Sequence, residues 1–139
     1  MKARIRDRTA LHRRAVGHVL GKLKRRGVLA VRASRRDHAD VLVDGRAVCI
    51  RAARISVRPH RVRVNGKVYR YCYANLQWNL HRHGRRVCPP PDSWVFCAPS
   101  AHLWCIVPDL VLRGRLTLLV QWPIQKHWIR EYRDKWEGL

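Results

Sequence analysis

The sequence predicts one α+β domain, and three features of its 139 residues predict it. Apolar residues make up 47%, with six Trp and four Tyr adding bulk, so the chain can build a core; a chain of this length buries roughly 68% of its unfolded surface and needs neither disulfide nor metal to fold. A helical-period stretch comes first, short β-type runs separated by turn pairs follow, and helical spacing returns at the end. No internal repeat divides residues 1–139, and the only low-complexity feature is the triplet Pro89-Pro90-Pro91.

Residues 1–8 read as a basic tail, and Thr9 as the N-cap of a helix whose apolar stripe is Leu11, Ala15, Val16, Val19, Leu20 and Leu23. Lys24, Arg25 and Arg26 fall in its last turn, where the helix dipole favours cations, and Gly27 closes it. This stop signal marks a helix of the fold rather than an Arg-rich transit peptide. Residues 28–33 form a strand, 34–38 a polar loop, and 39–43 a strand ending at the hairpin pair Asp44-Gly45, with its partner over 47–54. Residues 56–67 alternate Arg with Val around Pro59 and Asn65-Gly66, a basic excursion or exposed hairpin. A strand over 69–76 puts Tyr69, Tyr71 and Tyr73 on one face, which predicts half-buried packing ahead of a surface for stacking bases. After a basic loop containing His81 and His83 come paired strands over 93–98 and 102–107, an extended run over 116–122, and a terminal helix with Trp128, Tyr132 and Trp136 on its core face. The strands read as antiparallel.

Thirty Lys and Arg stand against nine Asp and Glu, a formal net charge of +21 with a pI near 11.5. Residues 1–70 carry 21 of the basic and 4 of the acidic side chains. Twenty-four of the cations are Arg, whose planar fork suits phosphate and base edges. Such a field selects polyanions, and nucleic acid is the commonest one. The residues expected to contact it are Arg13, Arg14, Lys24, Arg25, Arg26, Arg35, Arg36, Arg54, Arg58, Arg61, Arg63, Arg82, Arg85 and Arg86. No stretch is apolar enough to span a membrane. Five Cys without CxxC spacing predict small apolar residues in a reducing cytoplasm rather than a disulfide scaffold. The His and Cys spacings do not form a zinc pattern, and there is no nucleophile elbow, Walker loop or dinucleotide fingerprint.

One pattern stands out: the run from Asp40 through Asp44-Gly45, Cys49 and Arg51 to Arg54, preceded by a helix with a basic end and followed by two further strand segments. It resembles the PD-(D/E)XK nuclease superfamily, in the branch of small proteins related to archaeal Holliday-junction resolvases and short phage-type or intron-type endonucleases. The resemblance spans about Thr9 to Trp136. It implies a restriction-endonuclease-like core, a mixed β-sheet with an N-terminal and a C-terminal helix packed on it, and a homodimer. It puts Asp40 at the family's first metal-binding Asp, Cys49 at its Glu, Arg51 at its Lys and Val16 near its helical Glu, where no acid occurs between Arg8 and Arg36.

The family's chemistry needs hard oxygen ligands around Mg²⁺. A thiol is soft, and Arg cannot accept a proton from water. The expectation is therefore a nucleic-acid-binding protein, for DNA rather than RNA, on a degenerate nuclease scaffold, with Arg51 holding a phosphate and no cofactor. The first alternative is an active Mg²⁺-dependent DNA endonuclease of the resolvase or homing type, using Asp40 with a displaced acid such as Asp44. The second is a basic RNA- or ribosome-associated protein.

Overall fold

The computed structural model describes residues 2–82 and 84–139, with side chains apart from those of 2–7, 35 and 82. The chain runs α1 (Lys2–Arg25), β1 (Ala30–Arg32), β2 (Val41–Val43), β3 (Arg46–Ala52), β4 (Ser56–Val64), β5 (Lys67–Asn79), β6 (His81–Arg82), β7 (Arg85–Arg86), β8 (Ser93–Ala98), β9 (Leu103–Pro108), α2 (Asp109–Leu112) and β10 (Thr117–Trp122). Short 3-10 turns at Trp128–Tyr132 and Trp136–Gly138 complete it.

Three layers result. A five-stranded sheet in the order β1-β2-β3-β8-β9 lies in the middle, α1 covers one face, and the three-stranded sheet β10-β5-β4 covers the other. Every residue of β8 is buried because both of its faces are covered. Val95 and Cys97 meet Val16, Val19 and Leu23 of the helix, while Trp94 and Phe96 meet Trp78, Leu118 and Val120 of the smaller sheet. The Trp78 indole N–H donates to Cys97 O (2.9 Å), pinning one sheet to the other. Burying each such side chain contributes about 1.5–3 kcal/mol, and leaving the indole unpaired would offset much of it.

Helix α1 ends as its residues dictate: Val28 N–H donates to Leu23 O (2.9 Å) and Gly27 N–H to Lys24 O (3.0 Å), with Gly27 at φ 71°. This is the Schellman arrangement, which a Cβ at Gly27 would strain. Asp44-Gly45 (φ 49°, 78°) and Asn65-Gly66 (φ 50°, 78°) turn the two hairpins in the mirror-image conformation that matches strand twist.

Several expectations are corrected. The helix begins at Lys2, so Thr9 is not its N-cap and residues 2–8 belong to it rather than to a tail. The strands are not all antiparallel: β3 and β8 pair in parallel, with the β4–β5 hairpin in the crossover between them. The terminal helix is replaced by two 3-10 turns, in which Trp136 is buried against Trp104 while Trp128 and Tyr132 are half-buried. The tyrosine face is not packing at its outer end, since Tyr69 and Tyr71 are 53% and 50% exposed. β5 is thirteen residues long, and only its second half reaches the core; the first half and β4 form a ribbon extending beyond it.

Candidate functional site

Asp40 lies where β2 stops pairing with β3. The ladder begins at Val41↔Val48, and past its end the Asp40 carboxylate replaces a strand carbonyl: Ile50 N–H donates to Oδ2 at 2.7 Å. Helix α1 brings His12 Nε2 to 3.0 Å from Oδ1, and β3 brings Arg51 Nη1 to 3.5 Å from Oδ2. Burial pushes the acid's pKa up, but the His12 hydrogen bond, the Ile50 N–H and the Arg51 charge outweigh it and hold the carboxyl below its usual range.

Arg51 is tied into the protein. Its Nε donates to Asn79 O (2.9 Å), its Nη1 to Ile50 O (3.1 Å), and its guanidinium lies over the Trp94 ring, 5.2 Å from the centroid. Trp94 in turn donates to Asp109 Oδ1 (2.8 Å), which also accepts from Arg86 Nη2 (2.9 Å). Cys49 packs beside them with its thiol donating to His38 O (3.6 Å). Burial, followed by the Asp40 charge, pushes that thiol up to about 12, so it is a neutral S–H at pH 7.

This donor set does not fit Mg²⁺. The one carboxylate has both oxygens engaged, a guanidinium occupies the place beside it, and the thiol is both protonated and soft. Among the described residues no three His, Cys, Asp or Glu side chains are grouped to hold an ion. Asp44 stays in its turn, exposed, and does not join Asp40.

A groove of about 690 Å³ opens next to this cluster, between the start of α1 and the outer face of the smaller sheet. Its walls carry Arg8, His12, Arg51, Arg54, Arg58 and His81, and the row Tyr73, Asn75, Gln77, Asn79 along β5. A second cleft, which Arg54 shares, holds Arg14, His18 and His102. Of the predicted phosphate-contacting residues, the structure thus gathers Arg54 and Arg58 at the groove and Arg14 beside it, and ties Arg86 to Asp109.

Arg61 and Arg63 stand on the protruding ribbon. Lys24, Arg25 and Arg26 lie at the far end of α1, about 26 Å along the helix from Arg8, and do not join the groove. Arg13, Arg36 and Arg85 are exposed elsewhere, and the side chains of Arg35 and Arg82 lie outside the described residues. The sequence reading missed Arg8, His12 and the amide row; the period-2 alternation of Tyr73, Asn75, Gln77 and Asn79 was the available signal.

No protein-family model matches the sequence, and no curated protein does. Among solved structures, the fold is similar to that of a bacterial homing endonuclease, I-Ssp6803I, with a TM-score of 0.62 over 91% of this chain and 86% of that one, at 14% identity. The likeness is one of fold: the two chains share the same arrangement over most of their length. Among the described residues no helix is long and apolar enough to cross a membrane.

Proposed function

We propose that this chain binds nucleic acid, DNA in preference to RNA, on a PD-(D/E)XK-type scaffold that no longer carries out metal-dependent cleavage. The observation that carries the reading is the engagement of Asp40: a hydrogen bond to His12, the Ile50 N–H and the Arg51 guanidinium take up both oxygens of the carboxylate that a nuclease of this type would offer to Mg²⁺. The basic groove beside it, and a net charge of +21, supply the attraction for phosphate. Arg8, Arg54 and Arg58 contact the phosphates, while Arg51, with its donors turned inward, positions the strands rather than the ligand. The five thiols, none paired with another, support a reducing, cytoplasmic setting.

The test pairs binding with cleavage. Anisotropy titrations against labelled duplex DNA across a salt series measure the first, and incubation of the same DNA with Mg²⁺ or Mn²⁺ measures the second. With about six phosphates engaged, log K falls against log salt with a slope of roughly −5. Binding without cleavage is the expected result; metal-dependent cleavage that disappears in Asp40→Ala would instead establish an active endonuclease.

A further inference from the structure

We infer that the protruding β4–β5 ribbon is a stacking platform for unpaired bases, a site separate from the Asp40 cluster. The inference rests on the nucleic-acid reading above and names the form of ligand that this part of the molecule takes. Cross-strand register puts Tyr69, Tyr71 and Tyr73 on one face with Val62, His60 and Arg58 opposite them. The rings meet at edges and tilts: His60 lies 5.1 Å from Tyr71 and 5.5 Å from Tyr73, both edge-on, and Tyr71 lies 6.2 Å from Tyr73 at 46°. No two rings are stacked flat, and Tyr69 and Tyr71 are half exposed, so ring faces stay open to solvent.

Among the described residues nothing covers Tyr69 and Tyr71, so their amphipathic rings are left for a partner. The reverse face sharpens the point. Arg61 sits directly opposite Arg70, a like-charged pair that destabilises a ribbon. Residues 56–73 contain five cations and no acid, and among the described residues no carboxylate lies within ion-pair distance of Arg61, Arg63 or Arg70. A segment that breaks local rules of stability on both faces is a binding surface by the logic of its own sequence, and its complement is a polyanion with flat apolar rings.

Spacing decides between paired and unpaired bases. Rings at 6.2 Å are nearly twice as far apart as stacked bases, about 3.4 Å along a strand. Each ring therefore accommodates one splayed base, which a single strand supplies readily and a duplex supplies only after costly unpairing.

The experiment compares two probes, a labelled oligodeoxythymidylate of about 15 nucleotides and a duplex of the same length. Wild type, Tyr69→Ala, Tyr71→Ala and Tyr71→Phe are titrated with each; both tyrosines are exposed, and a thermal melt checks folding. Each alanine should weaken single-strand binding roughly 5- to 150-fold and leave duplex binding near wild type, while Tyr71→Phe keeps most of the affinity. Folded alanine variants that bind the single strand like wild type would overturn the proposal. So would equal losses on both probes, or a phenylalanine variant as weak as the alanine. Wild type that binds the duplex but not the single strand refutes the platform and leaves the groove reading intact; wild type that binds neither refutes both.

Discussion

The Asp40 cluster and the β4–β5 ribbon carry the same kinds of side chain and use them in opposite ways. At the cluster, Arg51, Arg86 and the indole of Trp94 are matched by Asp40, Asp109 and backbone carbonyls, so the charge is spent inside the fold. On the ribbon, Arg61, Arg63 and Arg70 face water with like charge across the strands, and Tyr69 and Tyr71 lack a packing partner in the core. One region lies between two covered sheet faces; the other extends from the outermost core residue of β5, Leu76, by nine residues to Lys67, or about 30 Å. Charge count alone therefore misplaces function, because a half-buried Arg engaged by internal partners offers a ligand less than an exposed one does.

The largest expected effect breaks the comparison on its packed side. Trp94→Ala removes a fully buried indole, the surface under the Arg51 guanidinium and one of the donors to Asp109. Stability should fall by about 3–5 kcal/mol in urea denaturation, whereas Tyr71→Ala on the ribbon should stay within about 0.5 kcal/mol. Comparable losses for the two would mean that the ribbon is part of the cooperative core.

Asp40→Ala comes next. It deprives the Ile50 N–H of its acceptor and leaves His12 and Arg51 without their shared anion, and should cost about 1.5–3 kcal/mol. Its pH dependence has a definite sign. The folded pKa lies below the unfolded value, so wild type holds this contribution in full above about pH 4 and loses it as pH falls further through the folded pKa. Melts of wild type and Asp40→Ala should therefore converge in acid, and a gap that persists there would show that the carboxylate's charge contributes nothing.

How much of this was legible beforehand differs between the regions for a physical reason. Strand runs and turn pairs such as Asp44-Gly45 and Asn65-Gly66 are local chemistry, and the structure keeps both turns and the strand Ser93–Ala98 as read. The parallel β3–β8 pairing joins residues more than forty positions apart, and the contact of His12 with Asp40 spans twenty-eight; no local periodicity encodes either. The tyrosine row shows the limit of period-2 reasoning: alternation tells which residues share a face, while whether that face is covered depends on where the other layers end. At the C-terminus, spacing of three and four residues suggested a helix, but the anchoring of Trp136 against Trp104 and the Cys105↔Arg133 bridge hold the chain in short 3-10 turns instead.

Arg51→Ala tests whether that guanidinium belongs to the fold or to the ligand. With its Nε on Asn79 O and its Nη1 on Ile50 O, it links the end of the smaller sheet to the central one. Its side chain is 25% exposed, so the loss should be moderate, about 1–2 kcal/mol in thermal or urea unfolding. Both guanidiniums line the groove, but Arg51 has its Nε and Nη1 tied to backbone carbonyls, so duplex affinity should change by less than it does in Arg58→Ala. The reverse ranking would return Arg51 to the phosphate and make the ribbon and the cluster parts of one surface.

The smallest expected effect on the fold falls on the ribbon's like-charged pair and has two readouts of opposite sign. Arg61→Ser removes a cation directly opposite Arg70 on the exposed ribbon. Relief of that repulsion should raise stability slightly, by about 0.2–1 kcal/mol. If the same guanidinium contacts a phosphate, the salt slope of binding should fall in magnitude by about 0.7 on a single strand or 0.9 on a duplex. A platform for unpaired strands predicts the change on the single-stranded probe alone, since the duplex is held at the groove by Arg8, Arg54 and Arg58. A protein that becomes more stable while binding the single strand less salt-dependently would identify the repulsion as retained for the ligand. A variant that gains stability with both slopes unchanged would leave Arg61 without a part in binding and confine the ribbon's contribution to its tyrosine face.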